Sequence, residues 1–223
     1  MDVLTCPSCG AAVPMRSAAM PYTTCPYCRS LLLRQGTDVR RTGEVAELPF
    51  DVSPVQLRMR GRADGVAFTV VGRVRWGWQE GSWNEWLLLL DDGSHRWLGE
   101  AMGMFMLTAE HAELLDDPAV RRFADQGTIA LGTTIEAGGS AFTAMDIKEA
   151  HCLGSEGDLP FSTLPDVVMT NVDFRAPDGS ALSLQREAGG VTTAWLGRYV
   201  SLGQLEPTHL RQIEGWTVPE VLP

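Results

Sequence analysis

The sequence predicts a mainly β protein: an antiparallel sheet or barrel module, preceded by a small cysteine-built unit and interrupted by one short helical connector. Three features predict it. Apolar residues alternate with period two from Val66 onward, Gly-containing turns recur at short intervals, and two Cys-Pro-x-Cys pairs fall within the first thirty residues.

The cysteine pairs come first. Cys6-Pro7-Ser8-Cys9 and Cys25-Pro26-Tyr27-Cys28 are separated by fifteen residues, the spacing of a tetrahedral Cys₄ zinc site. Each pair turns the backbone so that two sulfurs face one point, and Gly10 after Cys9 suits the tight turn. A segment this short cannot bury enough apolar surface to fold alone. Structural zinc supplies about 10–16 kcal/mol in finger peptides. Cys25-Pro26-Tyr27-Cys28 also resembles the active-site string of glutaredoxins, and Thr217-Val218-Pro219 their cis-proline segment. That fold needs its CxxC after a buried strand, and Ala18-Ala19-Met20-Pro21-Tyr22 is a poor one. The upstream pair would also go unexplained. Residues 1–35 are therefore read as a zinc ribbon with Cys6, Cys9, Cys25 and Cys28 as ligands of one structural Zn²⁺, and Cys25→Ser is expected to unfold it while leaving the β module folded.

Residues 36–54 read as a linker, punctuated by Gly36, Gly43, Pro49 and Pro54. The β module spans 55–205. Val66, Phe68, Val70, Val74, Trp76 and Trp78 share one face of its first strand, with Thr69, Arg73, Arg75 and Gln79 on the other. Trp83 to Leu90 is apolar on both faces, hence central, and Asp91-Asp92-Gly93-Ser94 turns the chain back to Arg96-Trp97-Leu98. Met102, Met104 and Met106 alternate along a further strand. Thr108 caps a helix over Ala109–Leu115, Asp117-Pro118 offers a second cap, and the connector spans 109–125. Strands resume at 128–135, 141–153, 167–174, 180–187 and 192–202, and 206–223 form a C-terminal tail.

Charge and composition exclude several functions. The net charge of −10 is placed unevenly, +1 over residues 1–50 and −11 over the remainder, so nucleic-acid binding by the acidic module is disfavoured. The arginines of the ribbon (Arg16, Arg29, Arg34, Arg40, Arg41) leave a nucleic-acid role open for that part. Lys148, the only lysine, is in no GxxxxGK context, which excludes a Walker A site. No run approaches the ~20 apolar residues of a membrane span. The start lacks the basic and apolar regions of a secretory signal, so a cytoplasmic chain with reduced thiols is expected. No GxSxG, GxGxxG or Ser-x-x-Lys motif is present, and no catalytic residue is assigned. His151 and Cys152, adjacent in a strand, point to opposite faces, so the histidine cannot serve the thiol, and Cys152 reads as a small buried apolar residue.

Five of the seven tryptophans lie between Trp76 and Trp97. Trp76, Trp78 and Trp86 share faces with aliphatic residues and read as core. The methionine alternation reads as an ordinary core strand. Trp83 beside Glu85 lies on a face broken by charge, and this pair is the candidate partner-binding site.

Trp83-Asn84-Glu85-Trp86, Asp92-Gly93 and Trp97-Leu98-Gly99-Glu100, followed by Glu156-Gly157-Asp158-Leu159-Pro160, resemble the motifs of the bacterial family known as domain of unknown function 4178. The resemblance covers roughly 55–205 and implies no catalytic residues. It implies a bacterial β-rich module, often preceded by a zinc ribbon and encoded near membrane-stress and polyamine-synthesis genes. The function expected is a non-catalytic adaptor that presents this module to protein partners, with envelope stress as one setting. A nucleic-acid-associated factor and an enzyme with an unfamiliar site are the alternatives.

Finally, the module reads as an internal duplication. Gly65-Val66-Ala67-Phe68-Thr69 recurs as Gly139-Ser140-Ala141-Phe142-Thr143, Glu80-Gly81 as Glu156-Gly157, Asp92-Gly93-Ser94 as Asp178-Gly179-Ser180, and Trp97-Leu98-Gly99 as Trp195-Leu196-Gly197. The halves expected are 55–108 and 127–205.

Overall fold

The protein is described by a computed structural model covering residues 2–36, 38–165 and 167–218. Pro219 of the Thr-Val-Pro segment, with the rest of 219–223, lies outside the described residues. The fold is mainly β and antiparallel. A first hairpin pairs β1 (Asp2–Thr5) with β2 (Ala12–Met15), and a second sheet opens with β3 (Tyr22–Thr24), β4 (Ser30–Gln35) and β5 (Asp38–Glu44). Two five-stranded meanders follow. The first is β6 (Arg60–Ala63), β7 (Val66–Trp78), β8 (Gly81–Leu90), β9 (His95–Ala101) and β10 (Met104–Glu110). After helix α1 (Pro118–Gln126) comes the second: β11 (Thr134–Ala137), β12 (Ser140–Leu159), β13 (Val168–Arg175), β14 (Ser180–Glu187) and β15 (Thr192–Val200).

The meanders join at both edges. β10 pairs with β15, β12 pairs with β7, and the eight strands β7-β8-β9-β10-β15-β14-β13-β12 close on themselves. The circuit is not a clean barrel, because β6 and β11 extend it and the far end of β12 leaves it to pair with β3. Two glycines permit the second closure. Gly72 and Gly157 face each other across β7 and β12, and a Cβ on either would collide with a carbonyl oxygen of the opposite strand, Asp158 O or Val71 O.

Opposite faces of the ring strands have different surroundings. On the first meander Phe68, Val70, Trp86, Leu88, Leu98 and Phe105 pack under Val55, Met59, Leu202 and Leu205. On the second, Phe142, Val172, Phe174, Leu182 and Leu184 pack under Val120 and Phe123 of α1 and Ile135 of β11. A third cluster, with Trp76, Leu87, Trp97, Cys152 and Met169, lies between the meanders and receives Met20 from the segment between the cysteine pairs. Residues 36–54, read from sequence as a linker, hold β5 and then a strap whose Asp51 and Ser53 bond inward to the ring. A charged network holds this strap, and of the residues that punctuate the sequence here Gly36 sits at a turn while Gly43 lies within β5.

Two of the four repeated strings occupy equivalent positions. The β6–β7 and β11–β12 hairpins share one register at a constant offset: Gly61 pairs with Phe68 as Ile135 does with Phe142, and Ala63 with Val66 as Ala137 does with Ser140. Both turns have positive φ at both central residues, Asp64-Gly65 and Gly138-Gly139, the requirement of a type I′ turn. The Asp-Gly-Ser turns also match. Ser94 N donates to Asp92 Oδ1 and Ser180 N to Asp178 Oδ1, each at 2.8 Å, between the third and fourth strands of their meanders. The other two strings do not correspond. Gly81 opens β8 while Gly157 lies inside β12, and Trp97 is on a fourth strand whereas Trp195 is on a fifth.

Several local expectations need correction. Ala109 and Glu110 belong to β10, because Phe105–Glu110 pairs along β15, so Thr108 caps no helix and only a 3-10 turn at Ala112–Asp116 follows. The second cap is as read: Asp117 Oδ1 accepts from Ala119 N (2.7 Å) and Val120 N (3.2 Å), with Pro118 in the first turn. Asp117→Ala is expected to cost about 1 kcal/mol, measured by urea unfolding; an unchanged midpoint would remove the cap from the account. Residues 128–133 are irregular, and the strand begins at Thr134. On β7 a bulge between Val70 and Gly72 shifts the alternation, so Phe68 and Val70 pack in one cluster and Val74 and Trp76 in another.

Candidate functional site

The cysteine pairs fold into two equivalent knuckles. Gly10 N donates to Cys6 O and Arg29 N to Cys25 O (2.9 Å each); Cys6 N donates to Ala11 O and Cys25 N to Ser30 O. The residue after each pair, Gly10 or Arg29, is left-handed (φ 74° and 57°). The four sulfurs lie within 4.8 Å of one another, with Cys6–Cys28 at 3.7 Å and Cys9–Cys25 at 3.8 Å. Four thiolates at about 2.3 Å from a tetrahedral ion would stand about 3.8 Å apart, so this donor set fits a metal ion. Cys6 and Cys25 are buried with Val13 and Leu32 in one small cluster, with Cys28 and Val39 packed against it.

Beside the β3–β12 pairing, one buried carboxylate joins the ribbon to the ring. Asp158, fully buried near the end of β12, accepts from Arg16 N, from Ser17 N (2.8 Å) and from Thr23 Oγ1 (2.7 Å). Burial raises its pKa and these donors oppose the rise.

The second candidate site is the interior of the ring, a cavity of about 500 Å³ to which all eight strands contribute side chains. Trp83, Glu85, Gly99, Met104 and Met106 enter from the first meander, and Lys148, Asp173, Ser183, Gln185 and Trp195 from the second. Met102 (88 % exposed) and Met145 (58 %) border it on the outer side. Glu85 accepts from Trp76 Nε1 (3.0 Å), Trp83 Nε1 (3.0 Å) and Gln185 Nε2 (2.7 Å), so one carboxylate joins the two meanders. Asp173 accepts from Asn171 Nδ2 (3.1 Å), whose Oδ1 accepts from Ser183 Oγ (3.0 Å). Burial raises the pKa of both carboxyls. Each keeps some solvent-accessible surface, because it faces the cavity, yet protein surrounds that cavity. The indole Nε1 atoms of Trp78 and Trp97, which also line it, have no hydrogen-bond partner.

The structure thus puts Trp83 and Glu85 on the inside of the ring. Trp76 and Trp86 are core as read, but Trp78 borders the cavity, and Met104 and Met106 line it while Phe105 and Leu107 between them fill the core. His151 is exposed and Cys152 buried; burial pushes the Cys152 thiol up to about 11. Nothing in the sequence alone singles out Asn171, Asp173, Ser183 and Gln185. Their available signal was two i, i+2 polar pairs, each opposite an apolar pair (Val172 and Phe174, Leu182 and Leu184).

No helix among the described residues is long and apolar enough to cross a membrane. No curated protein and no solved structure matches the chain. The family model described as domain of unknown function (DUF4178) matches residues 57–202, more than half of the chain and all eight strands of the ring, and the chain belongs to that family.

Proposed function

We propose that this chain is a non-catalytic binding module whose ring takes up a small organic molecule, with a zinc ribbon over residues 1–35 as its structural clamp. One observation carries the reading: a cavity of about 500 Å³ built from every strand of the ring. That volume is within the range of ligand pockets, which also join apolar walls to a few fixed polar groups. Trp83 and Glu85 then contact the bound molecule rather than a protein surface. Zn²⁺ is the ion that four thiolates at CxxC spacing suit best, and with four protein ligands it has no open position for chemistry.

A protein-partner role keeps one supporting observation. Phe50 and Val52, 90 % and 69 % exposed, flank Asp51 on the strap. The nucleic-acid reading is weaker, since Arg29 is paired with Glu44 and Glu47, Arg41 with Glu44, and Arg34 Nη2 donates to Ala18 O.

The test uses a neutral fluorophore, N-phenyl-1-naphthylamine, and a variant that fills the lumen. Gly99 lines the cavity, and a Cβ there comes no nearer than 3.8 Å to Met106, so Gly99→Leu starts without a backbone clash and adds bulk to the lumen. The wild-type chain is expected to bind the probe with enhanced fluorescence, and folded Gly99→Leu to lose it. Absence of binding, or binding indifferent to Gly99→Leu, would overturn the reading.

A further inference from the structure

We propose that the ligand of the lumen is an organic ammonium ion, held by Glu85 and Asp173 as counter-charges against tryptophan faces and a methionine wall. The proposal rests on the lumen being a binding site and adds the charge and shape of what enters.

The first support is how Glu85 is held. Each of its oxygens takes an indole N–H, Oε2 from Trp76 and Oε1 from Trp83, and Oε1 also takes the Gln185 amide. An indole N–H donates and cannot accept. A site with such donors at both oxygens is built for a carboxylate, not for a carboxylic acid. All three donors are neutral, however, and among the described residues no cation lies at ion-pair distance from Glu85. The charge is oriented but not balanced.

Asp173 repeats the arrangement. Its hydrogen-bond donor is the neutral Asn171 amide; no ion pair to it occurs among the described residues, although the Arg175 guanidinium two residues on offsets part of its charge. Across the strand pair stands Asp146, a further negative charge already occupied by Lys148 at 3.3 Å. Burial raises the pKa of both Glu85 and Asp173, as it does for anions that lack a counter-ion.

The walls point to the same ligand class. Lys148 Nζ, bound to Asp146, stands 5.7 Å from the ring centre of Trp78, and the Arg175 guanidinium stands 5.1 Å from that of Tyr199. Both cations of the lumen are thus already placed over aromatic rings, which attract positive charge through their quadrupoles. Trp83 packs against Trp78 with centroids 5.6 Å apart and belongs to the group that orients Glu85. Met104 and Met106 line the opposite strand and can repack around an alkyl chain. An anionic ligand would meet the Glu85 carboxylate, which has no counter-charge among the described residues, and a neutral one would leave it so.

Displacement of N-phenyl-1-naphthylamine by hexylammonium, hexan-1-ol and hexanoate at neutral pH separates the charge from the apolar chain. Hexylammonium is expected to displace the probe about tenfold more tightly than hexanol, with hexanoate weakest. Glu85→Gln is expected to remove most of that preference, so that hexylammonium and hexanol displace the probe from that variant about equally. Asp173→Asn is the second variant, should Glu85→Gln not fold. Equal displacement by hexanol and hexylammonium, or a preference unaltered in both folded variants, would overturn the ligand class while leaving the lumen a binding site. A lumen that binds neither probe nor displacer would overturn both readings together.

Discussion

Chelating the metal, or substituting Cys25→Ser, is expected to lower the melting temperature of the whole chain and not only to unfold residues 1–35. The ribbon's core is too small to persist without the ion. Once the ribbon opens, Asp158 loses the Arg16 and Ser17 amides and the Thr23 hydroxyl, and the end of β12 loses its pairing with β3. Each of those three hydrogen bonds to a carboxylate contributes about 1.5 kcal/mol. Met20 also withdraws from the cluster between the meanders. For a chain of this length that corresponds to a fall of about 10 °C. Tryptophan fluorescence measures the ring, since no tryptophan lies in the ribbon. A fluorescence melt that does not move when the metal is removed would restore the independent ribbon expected from the Gly- and Pro-punctuated sequence.

Arg73→Met is expected to destabilise the fold by about 3–5 kcal/mol, read from urea unfolding. Arg73 is 3 % exposed on β7. Its guanidinium donates to Asp51, to Glu156 Oε1 (3.3 Å) and to Asn84 Oδ1 (2.8 and 3.1 Å), and lies 4.6 Å from the ring centre of Trp86. Arg75 and Arg211 also reach Asp51, so the strap is gathered around one carboxylate. Next to it Glu100 accepts from Ser53, Asn84 and Trp86. Methionine replaces the stem of Arg73 but none of its donors, leaving Asn84 and part of Asp51 unsatisfied. A loss below about 1 kcal/mol would show that Arg75 and Arg211 suffice to hold the strap.

How far the sequence could be read follows from what each signal measures. The knuckles were legible because ligand spacing is local, and the same is true of the Asp-Gly turns and the Asp117 cap. Strand identities were legible because alternation is local too. The assignment of faces was not. In a half-buried sheet the apolar side faces the core and the polar side water, and on that rule Asn171 and Asp173 read as solvent-facing. Here Val172 and Phe174 pack outward under α1 and β11, while the polar partners face the cavity inside the ring, which is open at one side. Closure of the ring inverts the rule, and closure depends on pairings far apart in sequence. The bond from Gln185 to Glu85 is likewise non-local, which is why Glu85 beside Trp83 suggested a surface site. The strap failed for a related reason: nothing near Asp51 in sequence announces three arginines from β7 and the C-terminal segment.

The two closures also set a constraint on how the chain can be made. Neither meander has a protected edge until the other exists, for β7 waits for β12 and β10 for β15, pairings between residues 74 to 95 positions apart. Long-range pairings of this kind form slowly, and unpaired edges invite strands from other molecules in the meantime. The first meander leaves the ribosome with both edges open; β7 is covered once β12 is made, by residue 159, but β10 stays open until β15 is complete at residue 200. The growing chain therefore passes through an aggregation-prone interval that ends only when its last ring strand arrives.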